Sequence, residues 1–412
     1  MTKKKPTSPK SNPKQSGYLP LLAAPIFLVV LLGSLFLAEA TGLVKIDWQS
    51  LLSGKASDNV TPTAAAPVVI TPVFVTVTPG PAPTQAAPVP PSGAWYQLYF
   101  TTPTYPDKPA TRQETILQAL LAIINSAQTS LDVAIYELNL DPIGDALLAA
   151  RERGVNVRLV TDSDSLAEDK TLMRLQQATL PMVADNRQPI MHNKFVVVDD
   201  LAVWTGSWNF TSNDTFRNNN NAIYLWSPEI AHNYSDEFAE MFSQKFFGPT
   251  SLSRTANPRV QLGNSIVETC FAPEDKCADQ LIVLLRRAQH SIRFMAFSFT
   301  QAGIGQAVID RAKAGVIVQG VMETRGSETQ ASQLQRMKRQ KLDVWADGNP
   351  YTLHHKVFII DEQIVTLGSF NFTDNANQSN DENMLIIQNS DIAQQFLAEF
   401  QRVYTQAQNP PK

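Results

Sequence analysis

One half of this chain repeats the other in register, and that repetition limits the fold more tightly than any other feature. Ser130, Leu131, Asp132, Val133, Ala134, Ile135 and Tyr136 align with Ser291, Ile292, Arg293, Phe294, Met295, Ala296 and Phe297 at an offset of 161, which Ile143-Gly144 and Gly154-Val155 keep with Ile304-Gly305 and Gly315-Val316. After one residue of slippage, His192, Lys194, Asp199, Gly206, Ser207 and Asn209 recur 162 positions later as His354, Lys356, Asp361, Gly368, Ser369 and Asn371. A register held that far means two copies of one folding unit. In each copy the apolar periodicity predicts a helix (113–127; 279–289), an alternating strand (130–136; 291–299), a glycine-stopped helix (142–154; 304–315) and another strand (155–161; 316–322). Further strands are expected at the motif (194–198; 356–360) and after it (202–205 and 222–226; 364–367 and 384–388), with closing helices at 230–247 and 392–408. The expected fold is α/β: two tandem α/β/α sandwich halves, 94–250 and 251–412, each a mixed sheet flanked by helices, related by pseudo-twofold symmetry.

Within each repeat His and Lys stand two residues apart, so on a strand both side chains point to one face while Asn193 or His355 points away. Cleaving a phosphodiester needs a neutral imidazole to attack phosphorus and cations to neutralise the nonbridging oxygens; two converging His–Lys pairs supply both without metal. The chain has 5 histidines, and two of them fall at matched positions beside a lysine, which a chance surface histidine has no reason to do. Asp199 and Asp361 follow each lysine at odd spacing, on the opposite face; holding a turn or neighbouring backbone is a reading at least as natural as a catalytic one. Gly206 and Gly368 permit a close backbone approach. Ser207, Asn209, Ser369 and Asn371 alternate to one side of their segments and are candidate donors to phosphate oxygens, with turn capping as the competing reading. Tyr136, Phe297 and Phe299 read as sheet core rather than as a substrate platform.

Two His-x-Lys-x4-Asp motifs, each followed by Gly-Ser-x-Asn, resemble the signature of the phospholipase D superfamily over roughly residues 95–405. The resemblance implies that one motif histidine attacks phosphorus to give a phosphohistidine. The other protonates the leaving alcohol and then activates water, while lysines and asparagines hold the phosphate, with no cofactor and no metal. It adds Asp199 and Asp361 to the catalytic set His192, Lys194, His354 and Lys356. The family carries an acid shortly after Gly-Ser-x-Asn; Glu382 fits in the second half, whereas Asn220 occupies that place in the first. A carboxylate raises an imidazole's pKa and an amide does not, so the expectation is that Glu382 holds His354 protonated as general acid and leaves His192 as nucleophile. Phospholipid hydrolysis or head-group exchange is the leading expectation. A metal-independent nuclease, a cardiolipin-synthase-like transferase and an inactive envelope scaffold are the alternatives.

Composition sorts these alternatives. Seven of the 34 basic and three of the 38 acidic residues lie before residue 94, leaving the body a formal balance of −8 that disfavours a processive nucleic-acid binder. Arg336, Lys338, Arg339 and Lys341 read as a solvated helix face. Upstream, a basic tail (1–17) with five lysines precedes a charge-free run from Tyr18 to Ala38, long enough for one membrane-spanning helix of about 20 residues. The segment 18–40 is expected to be that anchor, with a cytoplasmic N-terminus and an extracytoplasmic body, or else a signal peptide cut after Ala40 and a secreted body. Nine prolines within 61–93 make the linker (41–93) an extended stalk. Cys270 and Cys277, the sole cysteines, are expected to form a small surface disulfide in an exported body; no second Cys or His pair accompanies them for zinc. Nothing in the sequence calls for an obligate protein partner.

Overall fold

The computed structural model describes residues 94–411. The first half supplies β1 (Tyr96–Phe100), β2 (Ser130–Ile135), β3 (Asn156–Thr161), β4 (Met182–Ala184), β5 (Lys194–Val198), β6 (Ala202–Gly206), β7 (Asn218–Asn219) and β8 (Asn221–Trp226). The second supplies β9 (Arg259–Leu262), β10 (Ser265–Ala272), β11 (Ser291–Ala296), β12 (Ile317–Met322), β13 (Asp343–Ala346), β14 (Thr352–Leu353), β15 (Lys356–Ile360), β16 (Ile364–Gly368) and β17 (Glu382–Gln388). They form two mixed sheets, ordered β1-β8-β6-β5-β2-β3-β4 and β13-β12-β11-β15-β16-β17-β10-β9, and a two-stranded one, β14-β7.

The helices follow from their apolar stripes. In α1 (Thr115–Ser126) the buried residues Ile116, Leu117, Leu120, Ile123 and Ile124 recur at helical spacing and leave the other face polar. The crossover α2 (Asp141–Glu152) carries the chain from β2 to its parallel neighbour β3. α3 (Pro228–Ala239) starts where the Ser227 hydroxyl accepts the Ile230 N–H. α4 (Cys277–Arg287) and the crossover α5 (Ala302–Lys313) repeat the pattern, and α6 (Ser390–Gln408) is capped by Asn389.

Strand parity divides the core. Val196 and Val198 of β5 pack outward with α1 and α2, while Phe195 and Val197 face a central core. There the sheets of both halves meet through Tyr234 and Phe238 of α3 and Phe396 and Phe400 of α6, joined by Val357 and Ile359 of β15. Because that central core belongs to both halves, the pair buries it only together.

The predicted strands and helices lie within a few residues of their observed bounds, with one notable exception. The helix expected to reach 247 leaves regular geometry after Ala239 through a π turn at Glu240–Gln244, closed by Lys245 in the left-handed region. Cys270 and Cys277 are bonded to each other and fully buried, where a surface bridge was expected; the bond ties the end of β10 to the start of α4. The basic tail, the 18–40 segment and the 41–93 linker lie outside the described residues, and among the described residues no helix is long and apolar enough to cross a membrane.

One contact between the halves yields a stability prediction. Burial pushes the Glu237 carboxyl of α3 well above its ordinary range, with the Glu274 charge next, and burial pushes Glu274 up to about 8. A carboxyl raised on folding holds a proton that the unfolded chain releases, so its stabilisation is present below about 4.5 and is lost as pH rises through about 8. Glu274→Gln is therefore expected to leave the melting temperature at pH 4.5 nearly unchanged and to raise stability at pH 8.5 by on the order of 2 kcal/mol. Paired melts at the two pH values measure it, and a variant destabilised equally at both would contradict it.

Candidate active site

Each motif histidine enters its strand through a hydrogen bond to the other half. The His192 N–H donates to the Asp381 carbonyl (3.0 Å) and the His354 N–H to the Asn219 carbonyl (2.9 Å). β7 and β14 pair in parallel alongside, stitching the same junction. These backbone bonds place each histidine beside the residue that follows its acceptor, and the rings meet accordingly. His192 Nδ1 lies 2.7 Å from Glu382 Oε2, and His354 Nδ1 lies 2.9 Å from Asn220 Oδ1. The expected pairing of Glu382 with His354 is thus corrected: the acid shares a half with His354 but crosses the pseudo-twofold axis to His192.

The Asn220 amide oxygen can only accept, so His354 Nδ1 carries hydrogen; Glu382 in its carboxylate form likewise takes the His192 Nδ1 hydrogen, and Nε2 of each ring is then the atom left for chemistry. His192 and His354 line one cavity of about 900 Å³ together with Asn209 and Asn371. Asn209 Oδ1 and Asn371 Oδ1 are buried and unpartnered there, and both side chains line the cavity. Ser207 and Ser369 do not. The Ser207 hydroxyl donates to Asn220 Oδ1 (2.9 Å) and accepts the Asn221 N–H, while Ser369 donates to Glu382 Oε2 (2.7 Å) and accepts the Asn383 N–H. Both serines are corrected from phosphate donors to braces of the groups that orient the rings.

Lys194 and Lys356 are buried, and each Nζ donates to the carbonyl of its own motif histidine, at 2.7 and 2.9 Å. An ammonium has three hydrogens, so each keeps donors beyond that bond. Burial pushes Lys194 down to about 8, with Glu382 opposing; burial and then Lys194 lower Lys356. Burial first, then the two lysines, hold both motif imidazoles well below the ordinary histidine range, which keeps them neutral. Burial pushes Glu382 up to about 8, against Lys194 and the Ser369 and Asn380 hydrogen bonds. The residues between His and Lys point the other way and lock the halves. Asn193 Oδ1 accepts from Asn383 (2.8 Å), and His355 sits between Asn221 (2.8 Å) and Glu399 (3.0 Å).

Asp199 and Asp361 are corrected from the catalytic set. Five residues along a strand separate each from its lysine by roughly 15 Å. Asp199 accepts the N–H groups of Gln128, Thr129 and Ser130, and Asp361 those of Gln289, His290 and Ser291. Both hold the loop entering the neighbouring strand, and neither lines the cavity.

The sequence reading missed Tyr136 and Phe297 as site residues. Both line the cavity, with ring centroids 5.2 Å from His192 and 4.7 Å from His354 and with Lys194 and Lys356 over their faces; Phe299 is core, as expected. Their matched positions just past β2 and β11 were the available signal. At the mouth Glu137, Asp141, Glu168 and Asp169 stand against Lys170 and Arg325.

The chain matches the family model described as cardiolipin synthase, PLD-like domain, twice, over residues 120–242 and 281–404, and it belongs to that phospholipase D-like family. A phospholipase D from Rickettsia conorii is 33% identical over 162 residues, covering 39% of this chain and 81% of that protein. The human mitochondrial cardiolipin hydrolase is 32% identical over 144 residues, 35% of this chain and 57% of that protein. The solved phosphatidylserine synthase of Haemophilus influenzae, 14% identical, shares the fold over 77% of this chain and 87% of its own, with a TM-score of 0.55. The protein is a phospholipase D-like phosphodiesterase.

Proposed function

We propose that the protein cleaves phospholipid phosphodiesters through a phosphohistidine formed on His192. The observation that carries this reading is the shared cavity, into which both motif histidines face while the opposite half braces each at Nδ1. His192 Nε2 attacks phosphorus and the bond to the leaving alcohol breaks. Glu382, on the Nδ1 side, offsets the positive charge that the ring acquires. His354, which takes up a proton as the anionic diester displaces the balance of the two lysines, gives it to the departing oxygen. It then removes a proton from water, whose oxygen attacks phosphorus and breaks the P–N bond. His192 remains the nucleophile, for a reason opposite to the sequence argument: the carboxylate serves the ring that becomes charged by bonding.

The acidic mouth and the negative body favour a lipid over a polyanion, and relatives named phospholipase D and cardiolipin hydrolase point the same way. Attachment to a membrane through residues 18–40, with the body outside the cytoplasm, completes the reading; the charge-free run behind five lysines and the Cys270–Cys277 bond support it. Incubation with phosphatidylcholine, phosphatidylglycerol and plasmid DNA, with chelator present, is expected to turn over lipid in preference to DNA. Added primary alcohol reports transfer. DNA cleavage without lipid turnover would hand the site to a nuclease.

A further inference from the structure

The two halves brace their histidines by different means. At the repeat offset, Asn220 corresponds to Glu382 and Asp214 to Ala376, so the first half lost a carboxylate at one position and carries one at another. Asp214 is buried, lines the cavity, and places Oδ2 3.5 Å from His354 Nδ1, the atom that Asn220 Oδ1 meets. Equivalent amides clamp the non-equivalent acids: Asn218 Nδ2 donates to Asp214 Oδ1, and its counterpart Asn380 donates to Glu382 Oε1. The Asn209 N–H holds Asp214 Oδ2 (2.9 Å), and the Asp214 carbonyl accepts from Asn220 Nδ2 (3.1 Å), which turns the amide oxygen toward the ring.

We propose that Asp214 is a positioning residue for His354, supplying from a displaced site the negative charge that Glu382 gives His192, while Asn220 supplies only the hydrogen bond. The proposal rests on the reading of His354 as general acid. An acid that must gain a proton faces Lys356 and Lys194, with His192 and His355 next to them. Asp214 is the carboxylate set against them. Burial pushes its own carboxyl up, and the Asn218 and Asn209 hydrogen bonds and the two lysines oppose that, with Glu137 a further carboxyl facing it. Its competing role is structural, as an acid in the first turn of the short helix Ser212–Phe216.

The test separates the two roles. In the 15N-histidine-labelled full chain, Asp214→Asn, near in shape, is expected to lower the His354 pKa by about one unit. The alkaline limb of the kcat pH profile should shift with it, and kcat at pH 7.5 should fall about tenfold. The double variant Asp214→Ala, Asn220→Glu, which copies the second half, is expected to restore the His354 titration. A His354 titration unmoved by Asp214→Asn overturns the proposal even where activity drops, since that is what a purely structural residue gives. Failure of the double variant, shown folded by its melt, overturns it as well. The spectrum reads the ring without turnover, so a wild-type protein inactive on every diester would sink the functional reading and leave this measurement standing.

Discussion

Alanine at His192 lowers phosphodiester turnover on the order of 10⁴-fold or more, while the chain melts close to the wild type. On the proposed mechanism the loss is large because Nε2 of this ring forms the covalent bond, and among the described residues the other cavity ring, His354, meets an amide at Nδ1 (2.9 Å) with the Asp214 carboxylate farther off at 3.5 Å, whereas His192 meets Glu382 directly. The fold survives because Glu382, pushed up to about 8, can take a proton when its partner is removed. His354→Ala differs in kind. With bis(p-nitrophenyl) phosphate the leaving group needs no proton, so the first step persists and an acid-labile phosphoryl group builds up on the enzyme. Peptide mapping is expected to find it on His192. Label building up on His354 in the reciprocal His192→Ala variant, or turnover surviving there, would reverse the two roles.

Much of the site could be read from register, and the rest failed for one physical reason. A repeat shows which residues are equivalent, and it placed His192 and His354 at one cavity, Lys194 and Lys356 against the carbonyls of those histidines, and the motif strands at their observed bounds. It does not show which half a side chain reaches. Glu382 was assigned to His354 because both lie in the second half, whereas the bonds His192 N–H to Asp381 and His354 N–H to Asn219 exchange partners across the axis. The same exchange hid the work of Ser207 and Ser369, which brace groups serving the opposite histidine. Parity did identify Asp199 and Asp361 as holders of neighbouring backbone, and the resemblance to the family was what kept them in the catalytic set. The edge strands β1 and β9 went unread because short segments at a sheet edge carry little alternation of their own, and β10, which lies between β9 and β17, went unread with them.

Alanine in place of Gly206 or Gly368 should cost roughly 3–5 kcal/mol and lower the melting temperature by about 5–10 °C. A Cβ on Gly368 would stand 2.3 Å from the Asn383 carbonyl oxygen, and one on Gly206 2.3 Å from that of Asn221. Neither carbonyl can retreat, because each already accepts the next N–H of the facing segment, from Ser369 and Ser207 at 3.0 Å. Both glycines also sit at positive φ, 146° and 155°, where a side chain adds strain. The damage differs by half. Gly368→Ala moves Ser369, hence Glu382, hence the proposed nucleophile His192, and should slow phosphoenzyme formation. Gly206→Ala moves Ser207, hence Asn220, hence His354, and should slow its breakdown. Rapid-quench measurement of the two steps in variants folded at low temperature separates them. Equal slowing of both steps by both variants would show that the serines act only as packing, and the closeness of Gly to the neighbouring strand would then be about the sheet and not about the rings.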